Sequence, residues 1–129
     1  MFRKLTATVM FVKDLATCTA FYLDTLNLPE SFRDDVSIGF KMGDQDFLLL
    51  KETAAAEMVG DRALAQGAGH RVLLCIGVEN VDAACAALTA KGVALIEPPK
   101  DQAWGRRTAY FADPEGNLWE LWQEIEESA

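Results

Sequence analysis

The chain has 129 residues, half of them hydrophobic and a quarter charged, a composition typical of a globular domain and unlike that of a disordered or fibrous protein. No apolar run approaches the roughly 20 residues that a membrane span requires, so the sequence argues against a membrane protein. The net charge of −8 disfavours a nucleic-acid partner, since phosphate backbones are repelled, and favours a neutral or cationic one.

Three cysteines, Cys18, Cys75 and Cys85, lie in apolar stretches without C-x-x-C spacing. Their odd number argues against a complete disulfide framework, so we expect a reducing, cytoplasmic setting. We interpret them as small core residues. A nucleophilic role for Cys75 lacks an activating partner nearby in the sequence.

The first half of the chain is predicted to fold in the order βαβββ. Residues 5–12 are rich in Thr, Val and Phe and predict a strand. Asp14 fits the N-cap of a helix over 15–26, whose apolar residues recur at helical spacing. Further strands are predicted at 32–35, 37–42 and 47–51, the last two joined by a Gly43-Asp44 turn.

The second half of the chain repeats this order after a break. Residues 54–69 predict a linker with no more than one helical turn. An apolar run over 72–78 predicts a strand, and a helix then begins at Asn80 or Val81 and ends at Gly92. The remaining strands are predicted at 93–97, 108–112 and 118–123, separated by a Pro98-Pro99 loop and a turn at 113–117.

An internal repeat connects the two halves. A shift of 66 residues places V-K-D-L at 12–15 on V-E-N-V at 78–81, and a shift of 71 places Leu48-Leu49-Leu50 on Trp119-Glu120-Leu121. We therefore predict an α+β fold of two βαβββ modules in one domain, residues 1–129. Module 1 covers about 1–53, the linker about 54–69 and module 2 about 70–129. A mixed α+β sandwich without internal symmetry is the alternative.

Four motifs point to a known family: V-K-D-L at 12–15, V-E-N-V at 78–81, W-G-R-R at 104–107 and D-P-E-G-N at 113–117. Together they resemble the vicinal oxygen chelate superfamily, which includes glyoxalase I, extradiol dioxygenases, fosfomycin-modifying enzymes and bleomycin resistance proteins. The resemblance covers nearly the whole chain. It implies that the two βαβββ modules form curved half-barrel sheets around a cavity, with the helices outside.

The resemblance also implies where a metal would bind. In the metalloenzymes of that superfamily, equivalent strands supply four ligands, and the corresponding positions in this chain are Ala7, Leu49, Leu73 and Glu120. A divalent site needs three or four N or O ligands, and only Glu120 supplies one. His70, the only histidine, precedes Leu73 by three residues with opposite side-chain parity. We therefore expect neither a metal nor a cofactor.

Side-chain alternation from those four positions predicts a mostly apolar cavity with one carboxylate, the usual composition of a small-molecule site. Trp104 is predicted to be either a stacking wall for a ligand or a loop anchor. Arg106 and Arg107 alternate, so at most one points inward, and we choose Arg107. The predicted ligand-binding residues are Ala7, Val9, Phe11, Phe47, Leu49, Leu73, Cys75, Trp104, Arg107, Leu118, Glu120 and Trp122.

Two interpretations of Glu120 remain open. It is either a structural residue, exposed or paired with Arg106 or Arg107, or a functional one. A functional Glu120 would receive the amine or guanidinium of a ligand, or act as a general base.

The leading hypothesis is a metal-independent protein, similar to the bleomycin resistance proteins, that sequesters a hydrophobic or cationic compound. The alternative is a lyase, isomerase or dioxygenase-like enzyme of the same superfamily, with a displaced metal site or with Glu120 as acid or base. A dimerisation or regulatory module without a ligand also fits, because a fold does not fix a function. The resemblance and the exposed strand edges further predict a homodimer.

Overall fold

The computed structural model describes residues 6–59, 72–103 and 105–125. They belong to two compact units, one within residues 1–68 and the other within residues 69–129. Each unit contains one four-stranded mixed sheet, and the fold is of the α+β class that the sequence predicts. In the described part of the chain, no helix has the length and apolar character needed to cross a membrane.

The sheet of the first unit has the strand order β1-β4-β3-β2. β1 runs parallel to β4, and the other two pairs are antiparallel. The turn between β3 and β4 contains Gly43 at φ 64°, a conformation that glycine adopts without steric cost. The strands are β1 Ala7–Val12, β2 Glu30–Arg33, β3 Ser37–Met42 and β4 Gln45–Lys51.

The first helical segment of the chain packs on this sheet. α1 spans Leu15–Ala20 and continues as a π-helical turn over Phe21–Thr25. The side chain of Asp14 caps α1 by accepting a hydrogen bond from the backbone N–H of Thr17 at 3.0 Å. Tyr22 is fully buried, and its ring centroid lies 5.1 Å from that of Phe47 and 6.2 Å from that of Phe40. This aromatic cluster is the core of the first unit.

The segment predicted as a linker begins with a helix. α2 spans Glu52–Val59, which is about two turns rather than at most one. Its three alanines have the highest helix propensity of any residue type, and Ala55 is fully buried against Leu50. The linker prediction is therefore wrong for residues 54–59, and its remainder lies outside the described residues.

The second unit repeats the architecture of the first. Its sheet has the order β5-β8-β7-β6, again with one parallel pair, β5 and β8, and two antiparallel pairs. This correspondence agrees with the internal repeat found in the sequence. The strands are β5 Leu73–Gly77, β6 Leu95–Asp101, β7 Arg106–Ala112 and β8 Leu118–Glu124.

α3, Val81–Ala90, covers one face of the second sheet. Asn80 caps it by accepting a hydrogen bond from the backbone N–H of Ala83 at 2.9 Å. Beneath the helix, the rings of Phe111 and Trp119 stack with centroids 6.4 Å apart. The buried side chains of α3 are Val81, Cys85 and Leu88.

The Pro98-Pro99 pair lies within a strand rather than in the predicted loop. β6 continues through both prolines to Asp101, and its register with β7 shifts on either side of Glu97. A proline cannot donate a ladder hydrogen bond, but an edge strand tolerates this loss, and β6 is an edge strand. The predicted strand was therefore too short.

Candidate functional site

One face of the second sheet brings the predicted carboxylate together with groups from three strands. The register pairs Cys75 of β5 with Glu120 of β8, and Glu120 with Tyr110 of β7. Register partners in a sheet point to the same face, so these three side chains stand in a row. We call this surface the Glu120 face; its members are Leu73, Cys75, Gly77, Glu97, Lys100, Arg106, Thr108, Tyr110, Ala112, Leu118, Glu120, Trp122 and Glu124.

Glu120 is held by two uncharged donors. Its side chain is buried, with the residue only 9% exposed, and Oε1 accepts a hydrogen bond from the Tyr110 hydroxyl at 2.7 Å. The Cys75 thiol donates a second hydrogen bond to the same carboxylate. A buried carboxylate without partners would be costly, and these two donors satisfy it in part.

The carboxylate in turn keeps both donors protonated by raising their pKa values. Its hydrogen bond is the main cause that raises the pKa of Tyr110. Cys75 is exposed as a residue, but partial desolvation of its sulfur is the main cause that raises its pKa. The hydrogen bond to Glu120 raises this pKa further, and the charge of Arg106 lowers it. Both groups therefore remain neutral donors at pH 7.

A chain of hydrogen bonds orients Tyr110. Thr108, which is 1% exposed, bonds to the Tyr110 hydroxyl and lowers its pKa, as a donor does. Thr108 Oγ1 itself accepts from Gln102 Nε2 at 2.9 Å. The sequence of donors runs from Gln102 through Thr108 and Tyr110 to Glu120, so the position of the carboxylate is fixed by groups well beyond its own neighbours.

Arg106 and Trp122 form a stack beside the carboxylate. The Trp122 ring lies against the backbone of Gly77, where an added Cβ would approach the ring to 3.0 Å. On Trp122 lies the guanidinium of Arg106, with its Cζ 3.9 Å from the ring centroid, a distance typical of a cation–π interaction. The glycine thus allows the tryptophan to lie flat, and the tryptophan holds the arginine.

The choice of Arg107 as the inward arginine is wrong. Arg107 is the register partner of Gln123 and lies on the helix side of the sheet. There it donates to Asp82 through Nε and Nη2, at 2.8 and 2.9 Å, and to Asp101 through Nη1 at 2.9 Å. β7 begins at Arg106, and alternation from that residue points Arg106 to the Glu120 face.

These contacts also bear on the structural interpretation of Glu120. In the described part of the chain, the ion pairs of Arg107 go to Asp82 and Asp101, and the partners of Glu120 are a hydroxyl and a thiol. Glu120 is therefore neither exposed nor paired with Arg107.

Phe47 and Leu49 do not share a face with Val9. In the first sheet Val9 is the register partner of Leu48, and Met10 is that of Leu49. Phe47 is 3% and Leu49 0% exposed, and Phe47 contacts the Tyr22 ring. Their predicted orientation toward a cavity is wrong.

The cause of this error is a one-residue shift in the internal repeat. Leu48 lies beside Val9 as Glu120 lies beside Cys75, so the first-unit counterpart of Glu120 is Leu48, 72 residues earlier rather than 71. Three consecutive leucines fit either alignment, and a one-residue shift moves every side chain to the other face.

The other predicted residues fall into three groups. Ala7, Val9 and Phe11 lie on the face of the first sheet opposite Tyr22, and their role in binding remains a prediction. Trp104 lies outside the described residues, as does His70. Of the cysteines, Cys18 and Cys85 are buried as predicted, whereas Cys75 is exposed, contrary to the prediction that all three are core residues.

The four positions that would hold a divalent metal do not fit one. With the register corrected they are Ala7, Leu48, Leu73 and Glu120, which together offer one carboxylate. The described residues contain no group of three His, Cys, Asp or Glu side chains close enough to hold an ion. Cys75 beside Glu120 adds a thiol whose raised pKa opposes the deprotonation that metal binding requires.

A concavity of about 440 Å³ lies in the first unit between α1 and the turn that joins β2 to β3. Two of its charged side chains already have partners: Arg33 bonds to Glu30 at 2.9 Å, and Asp34 accepts hydrogen bonds from Val36 and Ser37. This groove is therefore a weaker candidate than the Glu120 face.

Sequence reasoning missed Tyr110, Thr108 and Arg106. A signal for Tyr110 was nevertheless present, because the turn at 113–117 joins two antiparallel strands. If Ala112 pairs with Leu118 across that turn, Tyr110 must pair with Glu120, as it does. The cation–π contact of Arg106 had no comparable signal.

Residues 4–121 match the family model of the glyoxalase/bleomycin resistance protein/dioxygenase superfamily. The chain belongs to this superfamily. It is 34% identical over 119 residues to the uncharacterized protein YraH of Bacillus subtilis strain 168, covering 88% of this chain and 93% of that protein.

Two solved structures place this superfamily member among proteins of the same fold. A glyoxalase/bleomycin resistance protein/dioxygenase from Nocardioides has a TM-score of 0.86 at 26% identity, over 99% of this chain and 87% of that chain. A lactoylglutathione lyase from Agrobacterium tumefaciens has a TM-score of 0.76 at 22% identity, over 93% and 92% of the two chains; at that identity the likeness concerns the fold alone.

Proposed function

We propose that this superfamily member binds a small hydrophobic or cationic compound on the Glu120 face, without a metal ion, and so sequesters it. The observation that carries the proposal is the buried carboxylate of Glu120, held by Tyr110 and Cys75 among apolar and aromatic side chains. Apolar walls with few, well-placed polar groups are the usual composition of a small-molecule site. The donor set described above does not fit a divalent metal.

The carboxylate favours a cationic group in the ligand. An ionised carboxylate has about four acceptor positions, and Tyr110 and Cys75 occupy two. The remaining positions suit an ammonium or guanidinium, whose hydrogen bonds to a carboxylate are stronger than those of neutral donors. The net charge of −8 also attracts cations.

Exchange of Glu120 for glutamine tests this proposal. Glu120→Gln keeps the shape and an acceptor for Tyr110 but removes the charge, so it should weaken a cationic ligand by roughly 1.5–3 kcal/mol. Calorimetric titration with 2-phenylethylamine measures this change. Folding should be nearly unaffected, because no buried cation loses its partner, and the melting temperature checks this.

Glu57→Gln is the matched control. Glu57 carries the same charge, but it is exposed and lies on α2 of the first unit, outside the Glu120 face. The control should keep nearly the whole affinity for the amine. Equal affinity of Glu120→Gln and wild type would contradict the proposal, and a large loss of stability with unchanged affinity would make Glu120 a structural residue.

A catalytic role of Glu120 is the second candidate, and the hydrogen-bond chain from Gln102 to Glu120 is the observation that favours it. A carboxylate held in one position among apolar groups suits a general base. In this role Glu120 would remove a proton from a carbon of the bound compound. A thermal-shift screen first identifies compounds that bind. Uptake of deuterium from D₂O into such a compound, lost in Glu120→Gln, would support the catalytic role. Absence of uptake would contradict it and leave binding as the function.

A further inference from the structure

The arginines in the described part of the chain differ in what holds them. Arg33 donates two hydrogen bonds to Glu30, and Arg107 donates three to Asp82 and Asp101. Arg106 instead lies on the Trp122 ring. Its register partner Glu124 is an exposed residue of the same face, but within the described residues no carboxylate lies at ion-pair distance from the guanidinium. Its N–H donors are therefore available to a ligand.

The position of Arg106 is fixed before any ligand arrives. Trp122 is placed by Gly77, and the guanidinium lies 3.9 Å from the ring centroid. Stacking uses the flat face of a guanidinium and leaves the N–H groups at its rim available. That rim matches a carboxylate with two parallel hydrogen bonds, and a group already held in place loses less entropy on binding.

Arg106 and Glu120 belong to the same site. Trp122, on which Arg106 lies, is two residues from Glu120 on β8. The side chains of Trp122 and Glu120 therefore point to the same face, with their Cα atoms roughly 7 Å apart. Both charges act on Cys75: Glu120 raises the pKa of its thiol, and Arg106 lowers it. The face therefore presents an anion and a cation side by side, each available to a different group of one small molecule.

We infer that the compound bound on the Glu120 face is a small zwitterion, whose ammonium lies at Glu120 and whose carboxylate lies at Arg106. This inference rests on the proposed function and narrows its ligand class to amino acids and related compounds. A phosphate would also match the guanidinium, but a dianion beside Glu120 is repelled more strongly than a carboxylate.

Three probes with the same phenyl body separate the charges: phenylalanine, 2-phenylethylamine and 3-phenylpropionate. The readout is protection of Cys75 from N-ethylmaleimide, followed by mass spectrometry of its peptide. Cys75 is exposed on the Glu120 face, whereas Cys18 and Cys85 are buried and serve as internal controls. Inorganic phosphate is a fourth probe and should give no protection.

Phenylalanine should protect Cys75 at a concentration about tenfold or more below that needed with 2-phenylethylamine, the ratio for one charge-assisted hydrogen bond. Arg106→Gln should reduce phenylalanine to the level of the amine without weakening the amine, because it removes a cation that repels the ammonium group. Retained binding of the amine also verifies that the variant is folded. Arg106→Lys keeps the charge but lacks the planar guanidinium. The phenylalanine concentration that protects Cys75 in this variant should lie between those of wild type and Arg106→Gln. Arg33 is an exposed arginine of the first unit. Arg33→Gln should leave the protection of Cys75 by every probe unchanged.

The outcomes separate the inference from the proposed function. If the amine protects as well as phenylalanine, and Arg106→Gln alters neither, the inference is wrong and the proposed function stands. If 3-phenylpropionate or phosphate protects as well as phenylalanine, the ligand is a simple anion and the zwitterion is excluded. If none of the probes protects Cys75, the proposed function fails together with the inference.

Discussion

Glu120 and Arg107 illustrate two ways in which this chain holds a charge. Glu120 is buried and bonded to a hydroxyl and a thiol, an arrangement that leaves its charge available to a ligand. Arg107 lies between two carboxylates on the helix side of the same sheet, an arrangement that neutralises its charge. Arg106 and Arg107 are adjacent on β7 and point to opposite faces of the sheet. Arg106, not Arg107, therefore shares the face of Glu120.

The ion pair between Asp82 and Arg107 predicts a pH dependence of stability. The hydrogen bond from Arg107 is the main cause that lowers the pKa of Asp82 below its ordinary value of 3.8. A group with a lowered folded-state pKa stabilises the fold above its ordinary pKa, and this contribution is lost as the pH falls through the lowered value. Asp82→Asn should therefore lower the melting temperature at pH 7, and its difference from wild type should shrink as the pH falls below 3.8 and through the lowered pKa.

Thermal unfolding of both proteins between pH 2 and pH 7 measures this difference. Glu79→Gln is the control, because it removes a nearby exposed carboxylate that makes none of the hydrogen bonds of Arg107. A difference between Asp82→Asn and wild type that persists unchanged at pH 2 would contradict the ionic origin of the effect.

At the scale of elements, the sequence predicted most strands and both main helices, since periodicity and capping residues are local signals. It placed β3 at its observed bounds, Ser37–Met42. It missed the helix Glu52–Val59, whose alanines lack an amphipathic pattern, and the extent of β6, where prolines argue for a loop. Register depends on which residues pair across strands, and the leucine run of β4 left it undecided.

The corrected register of β4 predicts unequal effects of two neighbouring substitutions. Leu49 is fully buried on the Tyr22 side of the first sheet, so Leu49→Ala should destabilise the protein by about 2–5 kcal/mol through lost contacts and a cavity. Leu48 is only partly buried on the other face, and Leu48→Ala should cost less than half as much. Denaturant unfolding of the two variants measures both values, and a larger cost for Leu48→Ala would contradict the register.

At the scale of the whole molecule, the internal repeat was visible in the sequence because each unit must form its own sheet and helix. The candidate site was visible only in part. Glu120 was found through the D-P-E-G-N motif, whereas Tyr110 and Arg106 join it through pairing between strands. The composition of the Glu120 face depends on those pairings and on the stacking of Arg106 on Trp122. Neither can be predicted from a local sequence pattern.

We also propose that the protein forms a homodimer. Large apolar side chains remain exposed in both units, among them Val9, Phe11 and Phe32 in the first and Leu73 and Ile96 in the second. Exposed apolar groups and sheet edges are features that proteins cover by association. Light scattering at micromolar concentration should give twice the chain mass of 14.2 kDa, and a single species of the chain mass would contradict the proposal.

Calorimetric titration of wild-type protein with 2-phenylethylamine, before and after exhaustive treatment with a metal chelator, tests metal-independent binding most directly. Binding through the Glu120 carboxylate alone predicts the same affinity in both samples, with no gain when zinc, nickel or manganese is added. Loss of binding after chelation, with recovery on addition of one of these ions, would contradict the account.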